Sequence, residues 1–205
     1  HRSLDDLHAL HPRTKSVPAE VTYLGADHVF DWPEAPHAGP SVAFAHHTNK
    51  NPDLILDAWS VLASRGSTVP PLVMIGVPSG SRERLRAKLE ELSLSDHITL
   101  APFLPDDEFH RMFSAAATIV FPSDFEGFGL PIVEGMALGK PIVIGPERAT
   151  MEVAGGHAVV MSDWTAEALA DAMTSAARLS TQALERARAW GAAFTWDRTV
   201  TQTRE

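Results

Sequence analysis

The chain of 205 residues contains no cysteine. Disulfides and thiolate metal sites are thereby excluded, and the composition fits a reducing cytoplasm. Positive charge is scarce too: 17 Lys and Arg stand against 26 Asp and Glu, for a formal net charge of -9. That balance argues against a nucleic-acid partner, because such affinity usually rests on a basic face. A single small phosphate group is not excluded, since it needs only local donors. No apolar run approaches the roughly 20 residues of a membrane span, and no secretory-signal pattern is seen at the start. The charge run at 81–92 alternates in sign and reads as a solvated helix face, not a membrane-binding one. Any membrane attachment of a longer parent chain is expected outside these residues.

What is present is a regular alternation. Short apolar runs at 41–46, 71–76, 97–102, 118–122, 141–145 and 157–161 read as strands. Between them lie helical periods at 51–63, 81–92, 105–116 and 130–139, and two more follow at 165–178 and 181–193. Leu54, Ile55, Ala58 and Leu62 recur at helical spacing, and Gly139 suits a helix C-terminus. Strands apolar on both faces, alternating with helices, predict an α/β fold with a doubly wound, Rossmann-like parallel sheet. Residues 1–40 carry Pro12, Pro18, Pro33, Pro36 and Pro40. They read as a lead-in or interdomain segment, with one further strand expected at 21–25. Residues 41–205 are expected to form the domain, and both ends read as the interior of a longer protein.

Such sheets bind ligands beyond the carboxyl ends of their strands. The loop at 122–130 is therefore the first candidate. Gly127 and Gly129 would let a ligand approach the backbone, and Pro131 suits the first helical turn. Free N–H groups at that helix start would form an anion site. Spacing alone leaves a phosphate site and a plain tight connection as equal readings. The pair His46–His47 could suggest a metal, but neighbours on a strand point to opposite faces. No third ligand is evident, so no metal is expected.

The stretch "EGFGLPIVEGMALGKPIV" resembles the Glu-x7-Glu segment of family-4 glycosyltransferases, which have the GT-B fold. The resemblance continues through "KNPDLILDAW", "MEVAGGHAVVMSDWTAEALADAM", "FTWDRTV" and "AEVTYLGADHVF". It covers nearly the whole chain, but only the C-terminal, donor-binding half of a full enzyme. The resemblance implies a nucleoside-diphosphate sugar as donor, transfer of a hexosyl group with retention, and no cofactor. It also implies an acceptor bound through an N-terminal domain absent from this chain.

Residue by residue, the resemblance implies that Glu126 sits beside the donor sugar and Glu134 holds the ribose hydroxyls. Backbone around Gly127, Phe128, Gly129 and Leu130 would meet the diphosphate. Lys50 matches a family lysine that neutralises the leaving group. The family arginine nearby is missing, and His47 and Asn49 stand where other donors are needed. Val77, Phe103 and Leu104 would flank the nucleobase. Thr150 would cap a short helix bearing a structural Glu152. A non-catalytic nucleotide-binding module and a nucleotide-sugar epimerase of GT-B fold stand as alternatives.

Overall fold

A computed structural model describes residues 1–36, 38–66 and 68–204. Six strands form one parallel sheet: β1 (Ser41–Phe44), β2 (Leu72–Ile75), β3 (Ile98–Leu100), β4 (Ile119–Phe121), β5 (Ile142–Ile144) and β6 (Val159–Val160). Their spatial order is β3-β2-β1-β4-β5-β6. β1 lies at the centre, with Val42 opposite Val73 on one side and opposite Ile119 on the other. The expected doubly wound sheet is present, with each strand shorter than its apolar run because the flanking residues belong to turns.

The sequence alternation explains the two layers. Ala43, Leu72, Met74, Val120 and Val143 face one core, with Ile55, Leu56 and Trp59 of α2 (Pro52–Ser64), Leu85 of α3 (Ser79–Glu91) and Leu169 of α7 (Ala166–Ala176). Val42, Phe44, Val73, Ile75, Ile119 and Phe121 face the other, with Phe113 of α4 (Asp106–Ala115), Ile132 and Met136 of α5 (Leu130–Ala137) and Ala187 of α8 (Thr181–Ala192). Trp59 and Phe113 are fully buried, and side chains of this size contribute about 1.5–3 kcal/mol each or more on leaving water. The chain leaving β1 turns into α2 on one face, while that leaving β4 turns into α5 on the other. Neighbouring strands whose helices diverge open a crevice at their carboxyl ends.

Packing does not stop at residue 41. Helix α1 (Arg2–Leu10) opens the chain, and a 3-10 turn at Asp27–Asp31 buries Val29 completely. Trp32 then stacks on His110 of α4 at 4.3 Å and meets Phe113 edge-on. The strand expected at 21–25 does not form. The Tyr23 carbonyl accepts from Thr199 Oγ1 at 2.7 Å, and the Ala26 N–H reaches the Phe194 carbonyl at 2.8 Å. Thr199 belongs to α9 (Trp196–Arg204), so this backbone is committed to the C-terminal helix rather than to a sheet edge. Gly25 permits the contact: a Cβ there would fall 2.2 Å from the Trp196 nitrogen.

Two polar details also follow from burial. Glu147, not Thr150, caps α6 (Arg148–Ala154), its Oε2 accepting from the Thr150 N–H at 2.9 Å. Lys140, just before β5, is only 1% exposed and donates to the Ser114 carbonyl. Burial pushes its ammonium down to about 8. Among the described residues no helix is long and apolar enough to cross a membrane.

Candidate functional site

β1 and β4 are adjacent in the sheet although about seventy-five residues separate them in the chain, so their carboxyl-end loops meet. Polar side chains stitch the loops together. Asn49 Nδ2 donates to the Phe125 carbonyl at 2.7 Å, and the Asp124 N–H donates to the Asn49 carbonyl at 3.1 Å. Asn51, in the left-handed region at φ 52°, donates to the Pro122 carbonyl at 2.9 Å. This places Lys50 against Glu126. The two form an ion pair, with side chains 8% and 13% exposed, and the ammonium lies 4.3 Å from the Phe121 ring centroid.

The turn into α5 exposes its backbone for a stated reason. Gly129 takes φ 92°, a conformation that side chains disfavour, and no side chain caps the helix. Phe128 and Leu130 turn their side chains into a small core with Val133, Val153 and Phe194. Phe128 thus anchors the loop from behind, and Gly127 is exposed with open space around it. At this helix start Pro131 has no N–H and the Ile132 N–H donates to the Gly129 carbonyl at 2.9 Å, so among the described residues the N–H groups without a backbone partner are those of Phe128, Gly129 and Leu130, at the positive end of the helix dipole.

Glu134 lies one turn further along α5. Its carboxylate is buried, and Oε1 accepts from His28 Nε2 at 2.9 Å. Burial pushes this carboxyl above the usual range, and the His28 hydrogen bond pulls it back. Sequence reasoning missed His28. It lies in the segment taken for a lead-in, and no periodicity links position 28 to position 134.

The other candidates divide. His46 and His47 lie beyond the end of β1, in a bend, so their rings are not on opposite faces and sit 4.8 Å apart. Burial, Lys50 and His47 together push the His46 imidazole below its ordinary range. His47 is exposed and lines a cavity of about 330 Å³ with Pro78 and Arg84, a cavity that Lys50 does not line. Among the described residues no three His, Asp or Glu side chains gather as a metal set. Val77 is buried in the core, so it offers only backbone to a ligand. Phe103 is 74% exposed and 5.8 Å from the His46 ring, while Leu104 packs against the core containing Phe113.

The sequence profile described as "Glycosyl transferases group 1" matches residues 42–193. The chain belongs to this family. O-antigen chain mannosyltransferase B of Escherichia coli is 30% identical over 157 residues, which cover 75% of this chain and 41% of that protein. The chain therefore spans well under half of this curated relative. Among solved structures, a glycosyltransferase from Rickettsia africae ESF-5 superposes with TM-score 0.76 at 17% identity, over 98% of this chain and 60% of that one. Anabaena HepE, solved in complex with UDP and glucose, superposes with TM-score 0.63 at 20% identity, over 80% of this chain and 45% of that one. The sheet and its flanking helices match these GT-B neighbours, so the GT-B glycosyltransferase fold expected from the resemblance is the one observed.

Proposed function

We propose that these residues form the C-terminal, donor-binding half of a retaining, family-4 hexosyltransferase, acting on a nucleoside-diphosphate sugar. One observation carries the reading. The uncapped, glycine-led start of α5 lies between two carboxylates, Glu126 tied to Lys50 and Glu134 tied to His28. A diphosphate fits at the N–H groups of Phe128, Gly129 and Leu130 at that helix start. Glu134 then accepts from the ribose hydroxyls on one side, and Glu126 faces the sugar on the other. Lys50 supplies positive charge where the leaving group becomes anionic, so its effect is largest in the transition state. His47 and Asn49 would add donors where the family arginine is missing. The acceptor would bind through an N-terminal domain outside these residues, and no metal or cofactor enters the proposed reaction. The family membership and the UDP carried by Anabaena HepE support a nucleotide donor. No observation favours the regulatory-module or epimerase readings.

Calorimetric titration with UDP, GDP and ADP tests the proposal. At least one should bind the wild-type chain, and Glu134→Ala should weaken it by about tenfold or more, the value of a charge-assisted hydrogen bond. Unchanged affinity in Glu134→Ala sinks the ribose assignment. The chain on its own should transfer no sugar, and a clear transferase rate from these residues would overturn that part.

A further inference from the structure

The partner of Glu134 is itself held by a third group. Trp196 Nε1 lies 3.1 Å from His28 Nδ1. An indole N–H can only donate, so Nδ1 must accept and carries no proton. The ring proton of neutral His28 therefore sits on Nε2, where it is donated to Glu134 Oε1. The geometry thus selects one tautomer. Trp196 is fixed in turn, its backbone N–H donating to Asp27 Oδ1 at 2.8 Å. Trp32 meets the His28 ring edge-on at 5.7 Å and limits its tilt.

The consequence falls on the carboxylate. Glu134 has one oxygen engaged from the side of residue 28, and among the described residues Oε2 makes no hydrogen bond. A buried carboxylate without such a donor would swing freely or take up a proton. We propose that His28, set by Trp196, is a positioning residue that orients Glu134 to accept from the vicinal hydroxyls of a nucleotide ribose. His28 thereby sets the preference for ribonucleotides over their deoxy counterparts. This rests on the ribose role proposed above for Glu134.

The test compares each of UDP, GDP and ADP with its 2′-deoxy form, by calorimetry on the same chain. The ratio of the two affinities reads ribose recognition and is insensitive to a general loss of binding. The wild-type chain should prefer the ribose form by about 10- to 100-fold, the value of one charge-assisted hydrogen bond. Glu134→Gln should remove most of that preference. His28→Phe keeps a flat ring without the donor, and should lower the preference about tenfold. Trp196→Phe, which frees the tautomer, should lower it by a smaller factor. His28→Gln restores an N–H donor and should recover part of it, which also covers the case in which His28→Phe fails to fold.

The outcomes separate the two ideas. A preference untouched by Glu134→Gln overturns the ribose role itself. A preference lost in Glu134→Gln but kept in His28→Phe, or unchanged in Trp196→Phe where His28→Phe fails to fold, overturns the positioning role alone. Absence of binding to all three diphosphates at millimolar concentration overturns both.

Discussion

Lys140→Met isolates the cost of a buried charge. The Lys140 amine is 1% exposed and pushed down from 10.5 to about 8 by burial alone. That displacement corresponds to about 3 kcal/mol against the charged form in the folded chain. Below pH 8 both folded and unfolded chains hold the proton, and the folded state carries the full penalty. Between pH 8 and 10.5 the folded amine has released its proton while the unfolded one keeps it. The unfolded state then binds more protons, so this group makes stability rise with pH across that window. The penalty is about 3 kcal/mol at pH 7 and about 1 kcal/mol at pH 10, a difference of about 2 kcal/mol. Methionine has nothing to titrate. Urea unfolding of wild type and Lys140→Met at pH 7 and pH 10 should therefore show the variant gaining on wild type at the lower pH by about 2 kcal/mol. The unpaired Ser114 carbonyl costs the variant the same amount at both pH values and cancels. An equal difference at the two pH values would refute a depressed amine.

Three further outcomes are expected. Lys50→Met leaves Glu126 nearly buried without its cation, and should lower stability by about 3 kcal/mol, with much of the loss recovered in Lys50→Met/Glu126→Gln; a double-mutant cycle by urea unfolding reads the coupling. Gly129→Ala must hold φ 92° with its Cβ 2.9 Å from Ile132 Cδ1, and should cost about 1–2 kcal/mol by thermal unfolding. Arg84→Ala removes a two-pronged pair with Asp53, at 2.6 and 2.9 Å, yet both side chains are about half exposed. Its effect should stay under about 1 kcal/mol and shrink further in salt.

The fold was legible because the sheet is buried on both faces, so each strand appears as an apolar run and each crossover as a helical period. The loops after β1 and β4 were placed by the same logic, and with them Lys50, Asn49 and Glu126. The misreadings share a cause. Residues 21–25 look like a strand locally, but the Tyr23 carbonyl accepts from the Thr199 hydroxyl and the adjoining Ala26 N–H donates to the Phe194 carbonyl, partners that no local pattern identifies. His28 became visible only through the same contact, since Trp196 reaches it from the far end of the chain. Val77 looked like a loop residue, yet the tight turn after β2 folds its side chain inward. Single-residue assignments fail where the deciding partner is distant in sequence.

The seam between residues 23–28 and 194–199 also has a mechanical meaning. It consists of Thr199 to the Tyr23 carbonyl, Ala26 to the Phe194 carbonyl, Trp196 to Asp27, and the Trp196–His28 contact. Every strand lies inside the loop of chain that this seam closes. Tension applied across the flanks of the seam would load these bonds before it reaches the strand pairs. Parting the Trp196–His28 contact would also free the ring that holds Glu134 Oε1, while β1 and β4 remain paired. Under such a load the seam would part beside the candidate site before the strands that carry the site separate.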